Sequence, residues 1–295
     1  MRNLLYCLVM FNALSIDLEE YFQIHVLAGL IHPDTWADQP SSIEENTIKL
    51  LNLLDQYSIK ATFFCLGWIA EHHKGLIRCI HDKGHEIACH GYAHRVIYQQ
   101  DPSCFSHDVS KAKDILENVI GEPVIGYRAP TYSITNQTMW ALNTLEEMGF
   151  LYDSSIFPIY HDNYGIPDAP RFPYKLPDSS LVEFPISTLK IGPFNLPISG
   201  GGYFRLWPYQ FIKIGLKSFM SSRRPFVFYI HPWELNPDTP RVPGMDALSR
   251  FRTYTGIGTA FHKFSTLLKD FPFKPVRSVL TDMGLLSERP SSVKT

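Results

Sequence analysis

The chain has 295 residues, 45% of them hydrophobic and 19% charged, with a formal net charge of −2. This is the composition of a globular protein with a large core. It gives no footing to a nucleic-acid partner, since no basic run interleaves with aromatics, and no stretch approaches the roughly 18 apolar residues of a membrane span.

The five cysteines (Cys7, Cys65, Cys79, Cys89 and Cys104) contain no CxxC pair. An odd count without such spacing argues against a disulfide framework and for a reducing compartment, so a cytoplasmic location is expected. The opening "MRNLLYCLVM" carries one arginine and a short apolar stretch, but no small-residue cleavage site follows it. Residues 1–10 are therefore read as an extension, and Met10 is an alternative start.

The first strand is expected over 11–17, "FNALSID". A helix follows within 41–59. Ser42 with Glu45 three residues later forms a capping box, and Leu50, Leu51, Leu54 and Tyr57 share a face. "KATFFCLG" is the second strand, and a single helix then runs to Gly84. "HEIACH" is the third strand. The next helix has Asp101 as cap, Pro102 at its first position and Gly121 at its end. "PVIGYR" is the fourth strand; a helix capped by Thr135 ends at Gly149, and "FLYD" is the fifth strand.

Strand and helix alternate four times across short links, which implies a parallel sheet, open or closed into a barrel. From 154 to about 224 the rhythm breaks into a Pro-, Gly- and aromatic-rich insertion. It is too apolar to be a free linker. "RPFVFYIHP" resumes as a buried strand, a helix is expected at 260–270, and "KPVRSVL" is read as the last strand. The expected fold is α/β: a single distorted (β/α) barrel of seven or eight parallel strands over 11–282. A flexible tail is expected over 283–295.

In a parallel barrel the C-terminal strand ends converge on one rim, where active sites form. Those ends carry Asp17, Glu19 and Glu20 after the first strand, His90 and His94 after the third, Arg128 after the fourth, Asp153 after the fifth and His231 after the late strand. The HxxxH spacing of His90 and His94 suits two imidazoles on one side of a helical turn, reaching one ion. An added carboxylate would complete a set that leaves a position for water, as in catalytic zinc sites. The bland reading of "SIDLEEYF" is an exposed polar turn. The functional one divides labour between a metal-binding carboxylate and a proton acceptor. Alternation puts residues 17 and 19 on one side of an extended chain, favouring Glu19 over Glu20 as ligand. Trp233, two residues past His231, suits either stacking on a sugar or the core. The Gly200–Gly202 run lacks the lysine of a phosphate loop, and Cys89 is expected to face the core.

The ordered set "SIDLEEYF", "HGYAH", "RAPTY", "YDSSIFP" and "FYIHPWEL" resembles the polysaccharide deacetylases, carbohydrate esterase family four. The likeness covers roughly 12–282. "NYGIPDAPRFP" and "SGGGYFR" resemble segments of the deacetylases of exosortase-type exopolysaccharide loci. The resemblance implies a divalent metal, most suitably zinc with cobalt, nickel or iron as alternatives, and an N-acetylated carbohydrate substrate. It implies Asp17 as general base, His90 and His94 as metal ligands, and Arg128 as the partner of that base. It further implies Asp153 as the acid orienting the late histidine and His231 as the general acid. Two departures stand out: Leu18 replaces a second aspartate, and Thr131 replaces the aromatic after Pro130, which Tyr132 then follows. Thr131 would still offer a backbone N–H to an oxyanion, and Tyr132 an aromatic wall. The expected activity is removal of N-acetyl groups with release of acetate. The alternatives are a carbohydrate-binding protein without turnover, or a hydrolase of another amide.

Overall fold

A computed structural model describes residues 10–287; the expected extension at 1–9 and the end of the expected tail, 288–295, lie outside the described residues. In chain order the elements are β1 (Asn12–Leu18), α1 (Ile43–Gln56), β2 (Thr62–Cys65), α2 (Gly67–His72), α3 (Lys74–Asp82), β3 (Glu86–Cys89), α4 (Pro102–Ile120) and β4 (Gly126–Tyr127). Then come α5 (Trp140–Glu147), β5 (Tyr152–Asp153), β6 (Tyr174–Lys175), β7 (Val182–Glu183), β8 (Thr188–Ile191), β9 (Phe194–Pro197), α6 (Gly201–Leu206) and α7 (Tyr209–Ser221). The chain closes with β10 (Val227–Ile230), α8 (Ala247–Tyr254), α9 (Ile257–Asp270), β11 (Phe273–Lys274) and α10 (Val276–Asp282).

The main sheet runs β10-β1-β2-β3-β4-β5-β7-β6, with β11 also paired to β1. Every pairing is parallel except β6 with β7. It is a curled half-barrel. Between β7 and β10 the wall is completed by irregular backbone. Val227 N donates to Ser187 Oγ (3.0 Å) and Tyr229 N to Ser199 O (2.9 Å). At Gly200, bridged to Tyr229, a Cβ would stand 2.0 Å from the Tyr229 carbonyl oxygen, so only glycine lets the two backbones meet.

Strand alternation sorts the side chains. Leu14, Ile16 and Leu18, Phe63 and Cys65, Ile87 and Cys89, and Phe228 and Ile230 all join the layer between sheet and helices. Ala13, Phe64, Ala88, Val227 and Tyr229 belong to a second apolar cluster, which places Ser15 and Asp17 on that same inner side. Each buried large side chain contributes on the order of 1.5–3 kcal/mol. Cys89 is in the core, as expected.

Several expected elements differ. "KPVRSVL" is mostly the helix α10. Only its first residue, Lys274, pairs as strand, in β11 against β1; Val276, Val279 and Leu280 pack into the inner cluster, so the helix plugs the barrel floor. The helix before Gly84 is two helices, broken at His73, where φ/ψ is −126°/49°. At α1, Ser42 makes no side-chain cap; Glu20 takes that place, as shown below. Asp101 does cap α4, accepting from Cys104 N at 2.8 Å, and Gly121 ends it at φ 73°.

Candidate active site

The sheet register brings the strand ends level. Ile230 pairs with Ile16, so His231 follows beside Asp17. Leu18, Cys65, Cys89, Tyr127, Asp153 and Glu183 lie on one ladder across the sheet. His90 and Arg128 follow one residue beyond it.

Glu19, His90 and His94 offer ligand atoms all within 4.8 Å of one another, and all three residues are buried. His94 Nε2 lies 2.8 Å and His90 Nε2 4.0 Å from Glu19 Oε2. His90 Nδ1 pairs with the Arg128 carbonyl oxygen at 2.7 Å. That bond puts the proton on Nδ1 and leaves Nε2 as a free donor atom, the usual arrangement around a metal-binding imidazole. Among the described residues Glu19 Oε2 meets only the His94 and His90 imidazoles, and His94 Nδ1 is buried without a hydrogen-bond partner; a bound cation would relieve the cost of that burial at the carboxylate. Burial opposes the charge of Glu19, yet His94, His231 and His90 together hold its pKa at about 2. Burial pulls His90 down to about 4, so its imidazole is neutral at physiological pH. A carboxylate and two histidines suit a divalent metal.

The two histidines do not lie on a helical turn. Residues 91–96 are irregular, with Gly91 at φ 72° and His94 at φ 51°. Gly67 N and Trp68 N take the carbonyls of Gly91 and Tyr92, and Tyr92 N donates to Asp108 Oδ2. These bonds fix the loop, and the left-handed backbone at His94 is strain of the kind found at functional sites.

Glu20 has another task. Its Oε1 accepts from Ser41 Oγ (2.5 Å), Ser42 N (2.8 Å) and Ile43 N (2.9 Å). It caps α1 from a distant segment, so Glu19 is the acid facing the histidines.

Asp17 accepts from Arg128 Nη1 at 2.5 Å and from the Tyr132 hydroxyl at 3.3 Å. Arg128 is fully buried. It also donates to Ser15 Oγ, Ser154 O and Ser154 Oγ, and lies over the Phe64 ring at 4.0 Å. His231 Nε2 stands 3.8 Å from Asp17 Oδ2 and 3.4 Å from Glu19 Oε1. Thr131 and Tyr132 are both left-handed, at φ 57° and 53°.

Two expectations are corrected. Asp153 does not hold His231. It accepts from Ser155 Oγ (2.6 Å) and Ser155 N (3.2 Å) and pairs with Glu183, its register partner on β7. The acid on His231 is Glu234: His231 Nδ1 donates to Glu234 Oε2 at 2.8 Å, and Glu234 Oε1 accepts from Arg205 Nε at 2.7 Å. Burial works against charge on both, but Glu19 and Glu234 raise His231 to about 9, and His231 and Arg205 lower Glu234 to about 2. Trp233 is 4% exposed and stacks on His231, with ring centroids 5.6 Å apart. It supports the imidazole from the core and offers no open face to a sugar. Glu234 and Arg205 escaped sequence reasoning. The one available signal was a glutamate three residues after a histidine, the spacing of a capping box, which the structure contains.

The fold and site together define a curled α/β half-barrel with a buried His–His–carboxylate cradle beside an arginine-paired aspartate. Residues 34–151 match the family model described as polysaccharide deacetylase, and residues 154–281 match one described as a domain of unknown function, DUF3473. The peptidoglycan deacetylase-like protein FGM2 of Gibberella zeae is 37% identical over 110 residues, 37% of this chain and 32% of that protein. A peptidoglycan-N-acetylglucosamine deacetylase of Bacillus cereus is 34% identical over 98 residues, 33% of this chain and 36% of that one. The chain thus spans only about a third of the length of these relatives. A crystal structure from Mycobacterium smegmatis, assigned as a polysaccharide deacetylase, superposes with a TM-score of 0.58 at 20% identity, covering 95% of each chain. Residues 34–151 are thus similar to the polysaccharide deacetylases, and the fold of the whole described chain is like that of the Mycobacterium smegmatis structure. One sheet spans both family models: β2, β3 and β4 fall in the first and β6, β7 and β10 in the second.

Proposed function

We propose that this protein is a metal-dependent hydrolase that removes N-acetyl groups from the amino sugars of a polysaccharide or its precursor, releasing acetate. The observation that carries the reading is the juxtaposition of Asp17, held by Arg128, with the Glu19–His90–His94 cradle and with His231. Relatives named for deacetylation of peptidoglycan support an N-acetylated amino-sugar polymer as the substrate class.

A divalent metal in the cradle, zinc by preference, would supply Lewis-acid polarisation and make water acidic enough to attack. The rest is work for the chain's own groups. Asp17 takes a proton from the attacking water; the Arg128 bond occupies Oδ1 and leaves this task to Oδ2, which also accepts from the Tyr132 hydroxyl. The Thr131 N–H is assigned to the oxygen of the tetrahedral intermediate. His231 Nε2 delivers a proton to the departing nitrogen, while Nδ1 stays bound to Glu234.

The test is acetate release from N-acetylglucosamine oligomers, with and without a chelator. Release that stops on chelation and returns with zinc, cobalt or nickel supports the proposal. Sugar binding without release under any metal would leave a carbohydrate-binding protein instead.

A further inference from the structure

We infer that Arg205 is a positioning residue for His231, acting through Glu234, so that the segment of unassigned function completes the proton-donating half of the site. The inference deepens the hydrolase reading and rests on it.

Arg205 is 3% exposed and every bond it makes is internal. Nε donates to Glu234 Oε1, Nη2 to the Arg252 carbonyl (3.0 Å) and Nη1 to the Thr255 carbonyl. The guanidinium is thereby fixed in plane by two backbone carbonyls before it meets the carboxylate. Gly256 makes this approach possible: at φ 78°, a Cβ there would stand 2.5 Å from the Arg205 carbonyl oxygen. The other carboxylate oxygen, Glu234 Oε2, accepts from both His231 Nδ1 (2.8 Å) and His231 N (3.1 Å). Both oxygens of Glu234 are therefore committed, one to the clamp and one to the imidazole. Trp233 stacks on the imidazole and lies 5.8 Å from the Arg205 guanidinium carbon. With Nδ1 held in this way, Nε2 is the only ring nitrogen that can face the reacting bond. A lysine could supply the charge at position 205 but not the planar fork that spans three acceptors.

In amide cleavage the water oxygen bonds to the carbonyl carbon, the C–N bond breaks, and the nitrogen must gain a proton to leave as an amine. In an aryl acetate the phenolate leaves without one. A residue that only holds α6 against the α8–α9 junction would affect both substrates alike. One that positions the proton donor would affect the amide selectively.

The experiment compares the zinc-loaded full chain with Arg205→Met, Glu234→Gln, the double variant and Arg205→Lys. Substrates are an N-acetylglucosamine oligomer and 4-nitrophenyl acetate; melting curves and zinc stoichiometry establish that each variant is folded and loaded. Arg205→Met is expected to lower kcat on the amide by about 10- to 100-fold, a part of what general acid catalysis supplies. KM should hold, and the aryl acetate rate should stay within about threefold of wild type. The double variant should be no slower than Glu234→Gln alone, because residues acting in series are non-additive. Arg205→Lys should show the same selectivity with a smaller loss. Equal losses on both substrates, or losses that multiply in the double variant, overturn the inference. Should the wild type cleave neither substrate, the hydrolase reading falls, and the clamp is then read directly from the imidazole ¹H–¹⁵N spectrum. An Nδ1–H signal of His231 present in wild type and lost in Arg205→Met upholds it; the same signal in both overturns it.

Discussion

Glu19 and Glu20 are chain neighbours with opposite roles: Glu19 Oε2 lies 2.8 Å from His94 Nε2, while Glu20 Oε1 accepts the backbone N–H groups of Ser42 and Ile43 at the start of α1. One residue faces the rim and the other reaches away from it to close a helix end that Ser42 leaves open. The acidic run is therefore a site and a structural clamp in immediate succession.

Exchanging each acid for its amide separates these roles. Glu19→Gln should weaken zinc binding by tenfold or more, on the order of 1.4 kcal/mol, with a near-wild-type melting curve in the metal-free protein. Glu20→Gln should cost about 0.5–2 kcal/mol of stability, the worth of a helix cap, and leave zinc affinity near wild type. Isothermal titration and thermal melts read the two effects. Reversed results would make Glu20 the ligand.

The base and its partner should fail in different ways. Asp17→Asn should lower acetate release by about 10²- to 10⁴-fold, the usual worth of a general base, with zinc still bound. Arg128→Met should instead destabilise the fold by about 3–5 kcal/mol, since it leaves a buried carboxylate without its cation. Chemical denaturation distinguishes the two.

Stability should depend on pH through the Asp153–Glu183 pair, neither member of which is among the residues of the metal cradle. Burial pushes the pKa of both carboxyls up, Glu183 well above the usual range, where the neighbouring Asp153 charge adds to the effect. A carboxyl raised in the folded state binds protons that the unfolded chain has released. Its contribution is therefore complete below a pH of about 4, the unfolded value, and is lost as pH rises through the folded value. Glu183→Gln keeps a donor for Asp153 and an acceptor for Ile156 N, which Glu183 Oε1 now serves at 3.0 Å. Urea titrations from pH 5 to 8 should show stability falling more steeply in wild type than in Glu183→Gln. Parallel curves would contradict a raised carboxyl at position 183.

Zinc should stabilise the fold by mass action, by about 2.7 kcal/mol at a free concentration one hundred times Kd. His90→Ala and His94→Ala should each abolish most of that increment in thermal melts. A full increment in either variant would place the ion elsewhere.

The sequence alone carried the alternation of strand and helix, and with it the rim on which Asp17, Glu19, His90, His94, Arg128 and His231 meet. Local periodicity and helix caps record which strand each residue ends, and a parallel sheet aligns those ends without further information. Strand alternation also pointed to Glu19 over Glu20. The tertiary structure alone decided the rest. Glu20 caps a helix more than twenty residues away, α10 plugs the floor where a strand was expected, and the partner of His231 is Glu234 in place of Asp153. Asp153 answers to Glu183 because their two strands are neighbours in the sheet, and Arg205 reaches Glu234 only because α6 folds back beneath β10. Pairings across long stretches of chain depend on which surfaces pack together, and packing leaves no periodic trace in the residues that it joins.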